Sequence, residues 1–243
     1  MDVHLCINPR VRAHDFAATY AAQGCVQVPE FLEPRAAEAL AGLVRTLPWR
    51  LVVQVSDEQN LLLTREQLSA MSPQELKQLD DGIRERAARG IGYTYLTYPL
   101  IQARIENWDP GHPMHDFTDF MNSGEVLDFA RTLIGEADLT KVDAHASNYG
   151  PRHYLTRHVD EGAHGERRAA YTIGLSPDWD PDWGGLLLFF DEDFNVSRGL
   201  LPRFNTLTVF NGRLPHSVSG ISAFAPRARI SIAGWFRNDP PGA

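Results

Sequence analysis

Residues 148–162, NYGPRHYLTRHVDEG, carry the pattern on which both the fold and the chemistry of this chain depend. His158 and Asp160 are two positions apart, so on a β-strand or at its end their side chains point to the same side. One metal ion can therefore take both as ligands. A third ligand must come from elsewhere, and LPHSVSG supplies His216 between two predicted strands. Two imidazoles and one carboxylate are the facial triad of non-haem Fe(II), which indicates oxygenase chemistry.

This signal is weak when taken alone, because a His-X-Asp tripeptide occurs by chance in many chains. His153 and His164 lie close by in the sequence and compete as ligands. The interpretation needs support from the rest of the chain.

Around this stretch, from about Val142 onward, short β-rich runs alternate with Gly, Pro, Asn and Asp. These runs are HASNYG, YTIGLS, GGLLLFF, NTLTVF and RISIAGWF. Strands at this spacing predict a sandwich, jelly roll or barrel.

The first 140 or so residues have mixed helical and strand signals. Helices are predicted at 13–23, from Pro34 until Pro48 stops the run, from the capping box of Ser72 and Glu75 to Gly90, and from about Ser123 to Gly135. Strands are predicted at 25–28 and 90–100, the second with Tyr93 and Tyr95 on one face. These two tyrosines fit either packing or the lining of a substrate mouth.

No linker or composition shift separates the helical part from the β part. We therefore expect one domain over 1–243, mostly β with flanking α, in which a support region (1–141) buttresses a core (142–237).

Composition limits the partners. The chain has 243 residues, a net charge of −8 and only two cysteines, Cys6 and Cys25. An acidic chain argues against nucleic acid and favours small molecules or a neutral or cationic peptide. No stretch reaches the length of a membrane span and no disulfide framework is present, so a cytoplasmic protein is expected. The sequence leaves the oligomeric state open.

Support for the metal site comes from RARISIAGWF near the C-terminus. On a strand, Arg229, Ser231, Ala233 and Trp235 would share one face. An arginine inside a barrel needs a partner, and a dicarboxylate that accepts two parallel hydrogen bonds would provide one. The alternatives are that Arg229 reaches solvent or pairs with one of the many Asp residues.

With these residues assembled, the chain resembles the prolyl-4-hydroxylase branch of the 2-oxoglutarate/Fe(II) oxygenases. The resemblance covers about residues 145–237. Its elements are Tyr149 and Tyr154, the His158-Val159-Asp160 segment, LSPDWDPDWGGLLLFF, FNTLTVFNGRLPHSV with His216, and Arg229 in a strand that ends Gly234-Trp235-Phe236.

The resemblance implies a double-stranded β-helix (jelly roll) whose metal ligands are His158, Asp160 and His216. It also implies that Arg229 takes the distal carboxylate of 2-oxoglutarate, with Tyr149 and Ser231 as further co-substrate contacts. Residues 178–185 would form a surface turn that joins core strands. Fe(II), 2-oxoglutarate and O₂ would be required, with ascorbate as an activator. One departure is Gly174, where related hydroxylases often carry a tyrosine, so that Tyr171 or Thr172 is expected to substitute, or no residue at all.

The implied activity is hydroxylation of a prolyl or other amino-acid side chain, free or peptidyl, with release of succinate and CO₂. Three other interpretations stay open: an oxygenase for natural products or other small molecules, a catalytically silent binding barrel, and a zinc hydrolase that uses the same two His and one Asp. If Arg229 does not bind the distal carboxylate of 2-oxoglutarate, Arg227 is the alternative, because its side chain would lie on the same face of the strand.

Overall fold

The computed structural model describes residues 4–56, 59–160, 162 and 164–240. Within them the helices are α1 His14–Gln23, α2 Pro34–Val44, α3 Arg65–Ala70, α4 Pro73–Arg89, α5 Leu100–Ile105, α6 Met114–Met121 and α7 Gly124–Ile134. The strands are β1 Cys25–Pro29, β2 Arg50–Gln54, β3 Asn60–Leu63, β4 Tyr93–Tyr98, β5 Lys141–Val142, β6 His145–Tyr149, β7 Tyr154–His158, β8 Arg167–Gly174, β9 Leu187–Phe190, β10 Val196–Leu200, β11 Thr206–Phe210, β12 His216–Val218 and β13 Arg229–Arg237.

The strands form one curled antiparallel sheet in the order β1-β11-β8-β13-β6-β4-β7-β12-β9-β10. Strand β4 joins the two halves of the curl, because residues 96–98 pair with β6 and residues 93–94 pair with β7. The hairpin of β2 and β3 continues the sheet outward from β4. The concave side of this curl holds the site described below.

The predicted helices are confirmed at 13–23, 72–90 and 123–135, with small shifts at their ends. Ser72 and Glu75 form the capping box of α4, and Ser123 caps α7. Helix α2 ends at Val44, about a turn before Pro48, because the Thr46 hydroxyl and amide both donate to the carbonyl of Leu43 and close the turn early.

Helix α4 has no fully buried residue, and Leu76 on its apolar face is 40% exposed. The apolar side of α4 is therefore only partly covered by the rest of the protein.

The core joins the helices to the sheet. One cluster of buried side chains includes Leu40 of α2 and Phe117 of α6 together with Ile173 of β8 and Ile232 of β13. The helices thus cover the convex side of the sheet and leave the concave side for the site. The division into a support region and a core stays a prediction. Across the described ranges, no helix combines the length and apolar character that crossing a bilayer requires.

The turn at 178–185, expected at the surface, is only partly exposed. Trp179 is buried, packs edge-to-face on Trp183 and donates its indole N–H to the carbonyl of Gly184 at 2.9 Å. Trp179 also belongs to a buried cluster with Tyr149. The surface expectation is therefore wrong for Trp179, because its large apolar ring fills space behind the site.

Candidate metal and co-substrate site

The proposed metal ligands meet where β7 and β12 pair. His158 ends β7, His216 begins β12, and the two residues are direct partners in the antiparallel ladder. Asp160 follows two residues later, with its Oδ1 3.4 Å from Nε2 of His158 and its Oδ2 3.4 Å from Nε2 of His216. One donor atom from each residue lies within 4.8 Å of the others, a spacing that a single ion can bridge.

Both imidazoles are oriented by the backbone. Nδ1 of His158 donates to the carbonyl of Thr156 at 2.9 Å, and Nδ1 of His216 donates to the carbonyl of Leu214 at 2.8 Å. These bonds fix the proton on Nδ1 and leave the Nε2 lone pair available. The two rings are thus held in the tautomer that a metal ion requires.

Asp160 is fixed by the loop before His216. Its amide donates to the carbonyl of Gly212 at 2.7 Å, and a Cβ on Gly212 would stand 2.9 Å from Cβ of Asp160. Burial alone would raise the pKa of Asp160, but the adjacent His158 and His216 outweigh burial and hold the pKa well below its ordinary value. The carboxylate is therefore charged at neutral pH.

The competing histidines lie outside this cluster. Nδ1 of His153 accepts from the amide of Gly150 at 3.0 Å, and His164 is exposed. Among the described residues, His158, Asp160 and His216 form the single group of three that meets the spacing for a metal.

Arg229 lines the same cavity. It is the first residue of β13, where it pairs with Tyr149 of β6, and its exposed fraction is 3%. Its guanidinium lies 5.3 Å from the ring of Tyr149 and makes no hydrogen bond or ion pair with any described residue. Burial lowers its pKa from the ordinary value. A buried and unpaired guanidinium is costly unless a ligand supplies the anion.

Gly185 makes room for this arginine. A Cβ at Gly185 would lie 3.0 Å from Cδ of Arg229 and 2.6 Å from Cδ1 of Ile221, and its φ of +68° is one that glycine favours. Arg227, the alternative anchor, is exposed and donates to the carbonyls of Pro177 and Asp178. Arg227 does not line the cavity.

Tyr149 and Ser231 both line the cavity beside Arg229. The ring of Tyr149 stacks on Tyr95 with centroids 4.6 Å apart, and burial raises the pKa of Tyr149 above its ordinary value. Ser231 shares a 2.9 Å hydrogen bond with its ladder partner Ser147. The two serines are therefore a paired polar surface at the base of the cavity.

The Gly174 position has no room for a tyrosine. A Cβ there would stand 2.1 Å from the carbonyl oxygen of Arg203, so the adjoining loop requires glycine. Of the two suggested substitutes, Tyr171 donates its hydroxyl to the carbonyl of Asp143 at 2.9 Å. Both residues line the cavity, and Thr172 pairs with Ala233 in the sheet.

The cavity that these residues enclose has a volume of about 320 Å³. This lies in the range of small-molecule sites, ~300–1,000 Å³. Tyr93 and Tyr95 line it, with Tyr93 donating its hydroxyl to Asn60. The donor set and the unpaired guanidinium line the same cavity, and together they fit a metal ion and a dicarboxylate.

Two titratable side chains that line the cavity were not assigned to the site from the sequence, His145 and Arg167. His145 has the same strand parity as Ser147 and Tyr149, which was a usable signal. Burial lowers its pKa to about 4, so it is neutral at neutral pH. The guanidinium of Arg167 stacks 3.8 Å over the ring of Trp235. No sequence motif marked Arg167.

Comparison with known proteins matches the segment of the chain that carries the candidate site. A family model described as the 2OG-Fe(II) oxygenase superfamily matches residues 144–237. Prolyl 3-hydroxylase OGFOD1 of Xenopus laevis is 33% identical over 119 residues, an alignment that covers 45% of this chain. The alignment spans only 23% of the length of that relative.

Two solved structures share the fold along nearly the whole chain. A Pseudomonas putida prolyl-4-hydroxylase aligns with a TM-score of 0.58 and 21% identity, covering 93% of this chain and 99% of that one. A Trichoplax adhaerens prolyl hydroxylase, solved with a hypoxia inducible factor peptide fragment, aligns with a TM-score of 0.62 and 14% identity, covering 93% and 89%. The predicted double-stranded β-helix with flanking helices is confirmed.

The matched segment begins just before β6 and ends with β13, so it contains the His-Asp-His cluster, Tyr149 and Arg229. Over this segment the chain is similar to the 2OG-Fe(II) oxygenase superfamily, and along nearly its whole length it shares the fold of the prolyl hydroxylases.

Proposed function

We propose that this protein is an Fe(II)- and 2-oxoglutarate-dependent dioxygenase that hydroxylates a prolyl or other amino-acid side chain. His158, Asp160 and His216 hold the metal, and Arg229 holds the distal carboxylate of 2-oxoglutarate. The observation that carries the proposal is the buried guanidinium of Arg229, which has no partner in the described chain and faces the same cavity as the triad.

The iron and its co-substrate, when bound, supply the oxidation, in which O₂ and 2-oxoglutarate are consumed, succinate and CO₂ leave, and a C–H carbon gains a hydroxyl. The residues position these groups. The two imidazoles present Nε2 because their Nδ1 protons are bonded to carbonyls, and Asp160 stays ionised. Arg229 orients the co-substrate along the cavity by two parallel hydrogen bonds.

Apolar and aromatic side chains shield the reaction from water. Leu187 and Phe210 close the cavity beside His216, whose ring lies 4.7 Å from that of Phe210. Tyr149 and Ser231 add hydroxyl groups near the co-substrate end. A site that excludes water suits an oxidation, because the oxidant should react with the substrate and not with solvent.

The prolyl assignment is supported by the relatives, since each of those compared above is a prolyl hydroxylase by name. Ascorbate is proposed as an activator that keeps the iron reduced.

The first experiment incubates anaerobically purified protein with Fe(II), ascorbate and 2-oxoglutarate, admits O₂, and measures succinate. The test variant is His158→Ala, and the matched control is His164→Ala, an exposed histidine outside the cluster. We expect iron-dependent succinate from the wild type and from the control, and none above background from His158→Ala.

Undiminished succinate in His158→Ala would overturn the ligand assignment. No succinate from the wild type, together with no spectroscopic sign of 2-oxoglutarate chelating iron, would favour the silent barrel. Turnover with Zn²⁺ and without 2-oxoglutarate would favour the hydrolase.

A further inference from the structure

The metal cavity continues into a second, more open groove on the concave face of the sheet. The groove has a volume of about 590 Å³ and shares three lining side chains with the metal cavity, Tyr95, His145 and Trp235. It runs over β2, β3 and β4 towards α5 and Trp108. The surface beyond the reactive centre is therefore larger than a single amino acid requires.

The charges along this route are mainly positive. Beyond the metal ligands and Arg229, the charged residues that line the two chambers are Arg167, Arg50 and Asp143. Asp143 forms an ion pair with Arg237, whose Nη1 lies 2.6 Å from its Oδ2. Arg167 and Arg50 have no carboxylate partner among the described residues.

Both arginines are held in place by aromatic rings. Arg167 stacks on Trp235 at 3.8 Å, and Arg50 stacks on Trp108 at 3.9 Å. Stacking fixes the plane of a guanidinium while its N–H groups stay available to an anion or a carbonyl.

Two buried donors at the junction of the chambers have no partner. They are Nε of Arg167 and Nε1 of Trp235, which lack a hydrogen-bond acceptor within the described residues. Buried donors are normally satisfied, and an unsatisfied pair beside a cavity indicates that a ligand supplies the acceptors. A peptide backbone offers a series of carbonyl oxygens that can accept from such donors.

We propose that the prime substrate is an acidic peptide segment, which enters the metal cavity with one residue and lies along the groove past Trp235 to Arg50. This inference rests on the proposed function and names its substrate class. Carbonyls of the segment accept from Arg167 and Trp235, and a carboxylate side chain outside the reactive residue meets Arg50. The acidic character of the whole chain favours a cationic or neutral partner, but the groove makes the contacts.

A free amino acid fits this arrangement less well. Its single carboxylate would engage Arg167 and leave Arg50 and the groove unused. The two substrate classes therefore differ in their dependence on Arg50.

The test uses two pools of fluorescein-labelled, end-blocked decapeptides with a central proline and randomised flanks, one pool enriched in Asp and Glu and the other in Lys. Binding to the full chain is measured by fluorescence polarisation without added iron. The variants are Arg50→Gln and Arg167→Gln. The control is Arg45→Gln, an exposed arginine that lines neither chamber.

The wild type and Arg45→Gln should bind the acidic pool at least about tenfold more tightly than the basic pool. Each groove variant should lower that ratio by roughly three- to tenfold, the range for losing one charged contact at a solvated interface. Equal binding of the pools, or an Arg50→Gln ratio equal to that of the control, would overturn the inference. So would succinate formation that is stimulated by free amino acids and by neither pool.

Circular dichroism of each variant separates a local effect from misfolding. If a variant does not fold, Arg50→Lys, which keeps the charge but not the planar stack, replaces it and should still weaken the preference. Absence of succinate with the peptide preference intact would contradict the proposed oxygenase and not the groove.

Discussion

At the scale of single residues, Arg229 gives the sharpest prediction. Arg229→Gln should raise the 2-oxoglutarate concentration for half-maximal succinate formation by roughly one to two orders of magnitude, because a buried charge-assisted contact is lost. Fe(II) binding without co-substrate should change little. Calorimetric titration of 2-oxoglutarate measures the first effect directly.

Arg227→Gln is the matched control, since Arg227 is exposed and donates only to the carbonyls of Pro177 and Asp178. An unchanged co-substrate affinity in Arg229→Gln, with a loss in Arg227→Gln, would reverse the assignment.

Gly185 leaves the space that Arg229 needs for its proposed contact with 2-oxoglutarate. Gly185→Ala should weaken 2-oxoglutarate binding without touching the metal ligands, because its methyl group would press on Cδ1 of Ile221 and Cδ of Arg229. Gly220→Ala, where a Cβ would meet nothing within 4 Å, is the control. Co-substrate titrations that coincide for the two variants would contradict this role.

Residue placement was predictable where strand parity decides it. Alternation in RISIAGWF puts Arg229, Ser231, Ala233 and Trp235 on one face, and all four line the cavity. Arg167 was not predictable, since it reaches the cavity by stacking on Trp235, a contact between two strands. The presence of glycine at 174, where related hydroxylases often carry a tyrosine, was likewise not explained by the sequence. Its reason is the nearby carbonyl of Arg203, which leaves no space for a side chain.

At the scale of elements, the end of β13 is held by an ion network. Asp239 accepts from Nε of Arg237 at 2.8 Å and lies 2.7 Å from Nζ of Lys141. The hydrogen bond from Arg237 is the main cause that lowers the pKa of Asp239 to about 2.

A lowered carboxyl pKa stabilises the fold above the unfolded value of about 3.9, and this contribution is lost as pH falls towards 2. Asp239→Asn should therefore reduce Tm at pH 6 and converge with the wild type near pH 2. Thermal unfolding followed across this pH range measures the difference. A constant difference between the two proteins would contradict the linkage.

Elements with their own start and stop residues were predictable. Ser72 with Glu75 marks α4, and Gly135 marks the end of α7 in a left-handed conformation. The hairpin of β2 and β3 was not predicted, because its pairing with β4 comes from tertiary contacts rather than from local propensity. That hairpin forms much of the groove.

At the scale of the whole molecule, helices and sheet share one core. Phe117→Ala removes a fully buried ring of α6 from the core that helices and sheet share, and should cost roughly 3–5 kcal/mol of unfolding free energy. Urea unfolding monitored by tryptophan fluorescence and by circular dichroism should give one coincident transition, as expected for a single domain.

Phe224→Ala is the control, since Phe224 is 71% exposed and should change stability by less than about 0.5 kcal/mol. Two separate transitions would contradict the single domain predicted from the missing linker.

The arginine-lined groove belongs to a molecule with a net charge of −8, and this contrast has a kinetic consequence. At low ionic strength the body of the protein repels an approaching acidic segment, whereas Arg50 and Arg167 attract it only at close range. Salt with a Debye length of about 8 Å screens the distant repulsion more than the stacked contacts. Association should therefore become faster as salt rises to physiological levels, so the protein would select its substrate after encounter rather than by long-range steering.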